Sequence, residues 1–439
     1  MKFNGVRQML VSWFLVLGII LLVSLWVLPT FGDSLSHPRG GGETPSFMPV
    51  IIRQATSTPT VTPTPTVTTT PTTVPTPTTA PVPQFVTNVE IENAKCPVAA
   101  GFQPLNGNIY ILNEFSSNVT VFRDRNIIGN VNIPPTDPND PAGSWPVAFA
   151  ADNDSTHVYV AAVHAGTARI NNTTRLAVGE RYYEPHGVVV NPVNNLIYVS
   201  DLDRAVQVFQ GSTLLENVIL SMPPESDAWF LDVVVDPNSG YIYTAGSEGL
   251  MYVIDGTEVI ASYRLGYRVV DLAIDPVRGF IYAAHNEKND EYHNNISIFD
   301  INTSTVKRFN TGLRSRTVAV DPNTGLAYVT NPGPDDNPDD DSVSILMGQT
   351  LVRNVTVGDL PWGVAVNPNT GYAFVTNRHD NSVTVLRNGS YITTILVQGI
   401  NPFAVAVDTN TDDVYIANRG VENVLPLFDC RHASVTVLR

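Results

Sequence analysis

Cysteine is nearly missing from this chain: Cys96 and Cys430 are the only two in 439 residues. No haem-attachment Cys-x-x-Cys-His is therefore present. Basic residues are also scarce, with 25 Lys and Arg against 41 Asp and Glu and a net charge of −16. A surface that binds nucleic-acid phosphates needs the opposite balance, so nucleic acid is excluded as a partner. The acidic balance favours solubility, a cation or a basic partner, and charge alone does not choose among them. Absent too are the zincin His-Glu-x-x-His, the nucleophile elbow Gly-x-Ser-x-Gly and the phosphate loop. An enzyme that gathers its site from distant segments would escape that test.

What is present divides into three parts. Residues 1–30 contain an uncharged run, Met9 to Leu28, preceded by Lys2 and Arg7. Twenty helical residues span about 30 Å, the depth of a hydrocarbon core. The flanking charges place the amino terminus in the cytoplasm and the rest outside, a single-pass anchor in the cell membrane. The rival reading is a cleaved signal peptide, although its apolar region is usually shorter. Residues 31–83 form a linker that runs, from Ala55 to Pro83, almost wholly in Thr, Pro and Val without a charge. Repeated proline stiffens such a coil to about 3.1 Å per residue, which makes it a stalk or a disordered spacer.

Residues 84–439 repeat. Apolar strands open at Ala100, Phe149, Val188, Val233, Leu272, Val318, Val364 and Val405, between 39 and 49 residues apart. Ten positions after each start stands an aromatic residue: Tyr110, Tyr159, Tyr198, Tyr243, Tyr282, Tyr328, Phe374 and Tyr415. That period predicts an all-β fold, an eight-bladed β-propeller of four-stranded antiparallel blades, with seven blades as the alternative. The aromatic column is expected to wedge between blades as core. Asp or Asn opens the first turn in seven units, where its side chain can bond the backbone two residues on. Gly or Asn fills most positions that need left-handed geometry, such as Gly371 and Asn195, and Thr156 is the outlier.

The eighth unit ends after its third strand, Ser434 to Leu438. Phe85 to Ile91 is expected to supply the fourth, so that the two chain ends close the ring by hydrogen bonding. Cys96 falls in the connection entering blade one and Cys430 in a loop of blade eight, on one face and beside the closure. A disulfide between them is expected outside the cytoplasm, with two unpaired thiols as the other possibility.

The pentad Ala327-Tyr328-Val329-Thr330-Asn331, together with Tyr415-Ile416-Ala417-Asn418 and the turn Asp321-Pro322-Asn323-Thr324-Gly325, resembles the YVTN-type β-propeller repeat proteins of prokaryotic surfaces. The resemblance covers about Gln84 to Arg439, is strong in units six to eight and weakens in unit two, at Tyr159-Val160-Ala161-Ala162. Relatives include surface-layer, periplasmic and lactonase-like propellers. It implies the fold and export, not a reaction.

Labelling the strands of a unit a to d from the axis outward, the long loops are b-to-c and d-to-a connections, all on one face. Six histidines map to that face: His164, His186, His285, His293, His379 and His432. The densest acidic segment holds Asp335, Asn337, Asp339 and Asp341, alternate oxygen ligands that suit Ca²⁺. Asp340 stands where the helical calcium loop requires Gly, and a solvated acidic loop is the plainer reading. Just before strand a, at the channel mouth, one aligned position holds His186, Arg316, Trp362 and Phe403. Those four would bind an anionic or sugar-like ligand by charge and stacking, or simply plug the channel. No cofactor is expected beyond possible Ca²⁺.

The expectation is an exported, membrane-anchored propeller serving as a cell-surface or envelope binding or structural module. Its partner would be an envelope polymer, a protein or a small ligand on the b-to-c and d-to-a face. The alternative is a lactonase-like hydrolase with a divalent metal on that face.

Overall fold

The computed structural model describes residues 80–439 except 93, 138–142, 179–184, 203, 222–229, 287–294, 311–313, 334–339 and 424–428. The expected membrane span and the stalk before residue 80 lie outside the described residues, as do the tips of the longest loops. Among the described residues no helix is long and apolar enough to cross a membrane.

Eight antiparallel sheets of four strands each make an eight-bladed β-propeller. Their inner strands are Pro97–Gln103, Pro146–Ala151, Pro185–Val190, Phe230–Val235, Val269–Asp275, Val318–Val320, Pro361–Asn367 and Pro402–Val407. Position within a blade sets the burial pattern. Strand b is covered on both faces by neighbouring blades, so Asn108–Asn113, Leu326–Asn331 and Tyr372–Asn377 are buried at every residue. The outermost strand faces water on one side, and Thr350–Thr356 is mostly exposed. That contrast is why the b strands read as continuous apolar runs while the d strands alternate. The aromatic column is the wedge expected: Tyr110, Tyr198, Tyr282, Tyr328, Phe374 and Tyr415 are each under 2% exposed. Burying one such ring contributes about 2–3 kcal/mol.

The motif letters acquire physical roles. The motif threonines tie one blade to the next: Thr330 Oγ1 donates to the Trp362 carbonyl at 2.9 Å and Thr376 Oγ1 to the Phe403 carbonyl at 3.1 Å. The motif asparagines satisfy hydroxyls of strand c, as when Asn377 Nδ2 meets Ser382 and Thr384, each at 2.9 Å. Tyr328 Oη accepts the Gly389 N–H of the next blade at 3.2 Å. In the first turns the opening Asp or Asn accepts the N–H two residues on in all seven units, for example Asp321 from Asn323 at 3.0 Å and Asn367 from Asn369 at 2.9 Å. The following asparagine then reaches the neighbouring blade: Asn238 to the Pro276 carbonyl, Asn369 to the Thr409 carbonyl and Asn410 to the Pro104 carbonyl, at 2.7, 2.7 and 3.0 Å. Gly371 sits at φ 72° and Asn195 at φ 57°, whereas Thr156 does not adopt positive φ, so unit two turns differently.

The ring closes as the sequence predicts. Phe85–Glu90 pairs antiparallel with Ser434–Leu438, in the register Val89 to Val435 and Glu90 to Ser434. The seam between blades eight and one carries further fastenings. Cys96 and Cys430 are disulfide-bonded with their Cα atoms 5.1 Å apart. Arg125 grips Asp413 with two bonds of 2.6 and 2.7 Å. Cys430 lies in a feature the sequence did not reveal, a small hairpin pairing Val421–Asn423 with Asp429–Arg431 inside the b-to-c loop.

Candidate functional site at the channel mouth

The first residues of the eight inner strands converge on the axis. His186, Arg316, Trp362 and Phe403 are half-buried there. His186, Trp362 and Phe403 stand at the bulged starts of their strands, and Arg316 lies two residues before Val318–Val320 with its N–H donated to the Thr330 carbonyl. Three of the four are brought together. Arg316 Cζ lies 4.0 Å from the centre of the Trp362 ring, and the Trp362 and Phe403 ring centres are 5.1 Å apart.

Two further arginines complete an alternating stack. Arg378 Cζ is 4.4 Å from the Trp362 ring and 5.0 Å from Phe403, while Arg419 Cζ is 4.9 Å from Phe403. Arg378 Nε donates to Asn401 Oδ1 at 2.7 Å. Arg419 ends the stack on Glu114 at 3.0 Å, an ion pair in which the two side chains are 3% and 0% exposed. Cation–π contact offsets part of the cost of crowding three like charges, because a guanidinium on a ring face is partly desolvated yet still stabilised. The rings thus carry the protein's own cations.

Arg378 and Arg419 were missed in the sequence because they belong to a different column, the residue after the motif asparagine. Reading that column across the blades would have found Arg378, Arg419 and Glu114 together.

The adjoining wall is acidic. Asp232 and Asp271 occupy equivalent places on the inner strands of blades four and five. Each clasps the next blade, Asp232 accepting the Leu272 N–H at 2.7 Å and Asp271 the Val318 N–H at 2.6 Å. Burial raises the Asp232 carboxyl to about 6, and burial together with the neighbouring Asp232 raises Asp271 well above the usual carboxylate range. Each carboxyl therefore holds a proton more readily than an exposed one. Burial lowers Arg316 to about 10, against which the Asp271 charge acts, and Arg419 adds to the lowering. Burial also holds His186 near 4, with nearby His164 contributing, so its imidazole is neutral at pH 7.

The histidines of the loop face separate. His285 is fully buried, its Nδ1 against the Tyr267 carbonyl and its Nε2 against Ser297 Oγ, both at 2.8 Å. It is a structural group inside blade five rather than part of a loop surface. His164 packs edge-on against Trp145, and exposed His379 lies 3.4 Å from Asp359. His293 lies outside the described residues, as do Asp335, Asn337 and Asp339 of the expected calcium loop. Asp341 is 2% exposed and uses Oδ2 to accept the Leu360 N–H at 2.8 Å. Among the described residues no group of three or more His, Cys, Asp or Glu is arranged to hold a metal ion.

Comparison with solved structures places the architecture among known propellers. BamB from Moraxella catarrhalis superposes with a TM-score of 0.56 at 12% identity, over 82% of this chain and all of that one. The C-terminal WD40 domain of Sif2 gives 0.61 at 11% identity, over 81% and 98%. The Dos1 propeller gives 0.64 at 8% identity, over 81% and 95%. The likeness is one of fold. No family model matches the sequence, and no curated protein matches it.

Proposed function

We propose that this chain is an exported, membrane-anchored propeller of the YVTN type that works as a binding module at the cell surface, with the b-to-c and d-to-a face as its working face. The observation that carries this reading is the difference between the two ends of the channel. At the turn face, side chains spend their hydrogen bonds fastening blade to blade, as Asn238, Asn369 and Asn410 do. At the loop face three arginines and two aromatic rings gather around the axis instead. A rigid ring that concentrates charge at one mouth suits recognition. Export is supported by the disulfide, which persists in oxidising compartments, and by the apolar run and stalk of the sequence.

The test has two arms. Protease treatment of intact cells should release the propeller, while cells in which it stays protected until lysis would refute surface display. The purified full chain should bind isolated envelope material, and Arg378→Gln should weaken that binding. Binding that this substitution leaves untouched would move the working face elsewhere, and turnover of a lactone panel would replace the module by the hydrolase reading.

A further inference from the structure

Arg316 stands apart from the other cations of the mouth. Arg419 has its charge met by Glu114, and Arg378 has Asn401 as a hydrogen-bond partner. Among the described residues Arg316 meets Trp362 through its face and makes no ion pair or side-chain hydrogen bond. Asp271 acts on it electrostatically without pairing. Its backbone is held, with the Arg316 N–H donated to the Thr330 carbonyl at 2.9 Å. The guanidinium is therefore oriented by a ring, flanked by a second guanidinium on that ring, and left with its N–H edge unused. A half-buried fork of five donors has a strong demand for an acceptor that can take two parallel bonds.

We propose that the channel mouth binds a compact oxyanion, a carboxylate or phosphate group, between Arg316 and Arg378. This names a ligand class for the working face proposed above and rests on that reading. Compactness follows from charge. The chain carries a net −16, so its far field repels an extended polyanion, and only a small anion meets the local cationic arc before the surrounding carboxylates. The acidic wall opposes the arc less than two free carboxylates would, because Asp232 and Asp271 each spend one oxygen on a backbone N–H and burial disfavours the charged form of both. Neutral sugars are disfavoured, since the Trp362 and Phe403 faces they would stack on already hold guanidiniums.

The experiment is titration of the purified full chain, in detergent micelles at low ionic strength, with succinate, inorganic phosphate and glucose, followed by calorimetry and tryptophan fluorescence. Saturable binding of one or both oxyanions, weakened by added salt and absent for glucose, is expected. Succinate alone identifies a carboxylate ligand, and phosphate alone a phosphate ligand. Arg316→Gln should weaken binding by about tenfold or more, the scale of a lost charge-assisted bidentate contact. Arg175→Gln, on an exposed outer strand, should change nothing. If Arg316→Gln fails to fold, Arg316→Lys keeps the charge, loses the fork and should still bind less tightly than the parent chain. The proposal is overturned if neither oxyanion binds saturably, or if the position-316 variants match Arg175→Gln. Envelope binding by a chain that ignores all three probes would sink this inference and leave the module reading standing.

Discussion

Removing the seam disulfide, by reduction or as the double substitution Cys96→Ala and Cys430→Ala, offers the deepest test of how the ring is closed. The bond joins positions 334 residues apart, so it withholds nearly the whole globular chain from the freedom of the denatured state. Chain-entropy arithmetic for a loop of that length gives a loss of about 6 kcal/mol. A domain of about 350 ordered residues unfolds with an entropy near 0.7 kcal/mol/K, so the midpoint should fall by roughly 8 °C. The native fold should hardly change. The same seam keeps its outer strand pairing, the Arg125–Asp413 contact and the buried Arg419–Glu114 pair. The assays are a thermal melt, which reads the midpoint shift, and denaturant unfolding, which reads the slope, both followed by near-UV circular dichroism and tryptophan fluorescence. The expected signature is an unaltered native spectrum, a lower midpoint and a steeper denaturant dependence as the unfolded chain expands. A midpoint within about 1 °C of the parent would refute the reasoning, since it would mean the denatured ensemble was already confined without the bond.

Arg419→Gln leaves Glu114 buried without its cation and should cost about 3–5 kcal/mol in a denaturant titration. Asn377→Ala removes the amide that satisfies Ser382 and Thr384 and should cost about 1–3 kcal/mol by the same measurement. Burial raises the Asp341 carboxyl to about 6 from 3.8, against the Leu360 N–H bond, with Asp359 and Asp380 adding to the rise. The folded state therefore binds that proton more tightly than the unfolded one, so this group's contribution falls as pH rises from about 4 to 6. Asp341→Asn should flatten that part of the stability profile, and an unchanged profile would count against it. His285 works in the opposite sense: burial lowers it to about 4, so its contribution is present above 6.5 and is lost as pH falls toward 4. His285→Asn should accordingly lessen the acid-side loss, read as the shift of the urea midpoint between neutral and acid pH.

The repeating frame was legible because it is local. The spacing from strand start to aromatic ring, the Asp or Asn opening seven of the eight first turns and the glycine at positive φ all fall within one unit of chain. Each is set by strand alternation, turn chemistry and backbone sterics. Closure was legible for a related reason: a unit lacking its fourth strand leaves an unpaired edge, and Phe85–Glu90 was the segment left to cover it.

The mouth was legible only in part. His186, Arg316, Trp362 and Phe403 shared one aligned column, so the sequence brought them to one end of the channel. It did not show that Arg378, Arg419 and Glu114, from another column, would interleave with them. His285 looked like a loop residue because its place at the end of strand b is one step from the surface, yet Ser297 and the Tyr267 carbonyl enclose it.

From its sequence alone the chain determined eight blades, their turns, the closing strand and two cysteines placed to meet. The folded ring alone decided which charges became neighbours. Residues one blade apart are some 40 positions apart in sequence, and their contacts depend on the radial packing of separate sheets, to which no local periodicity is sensitive.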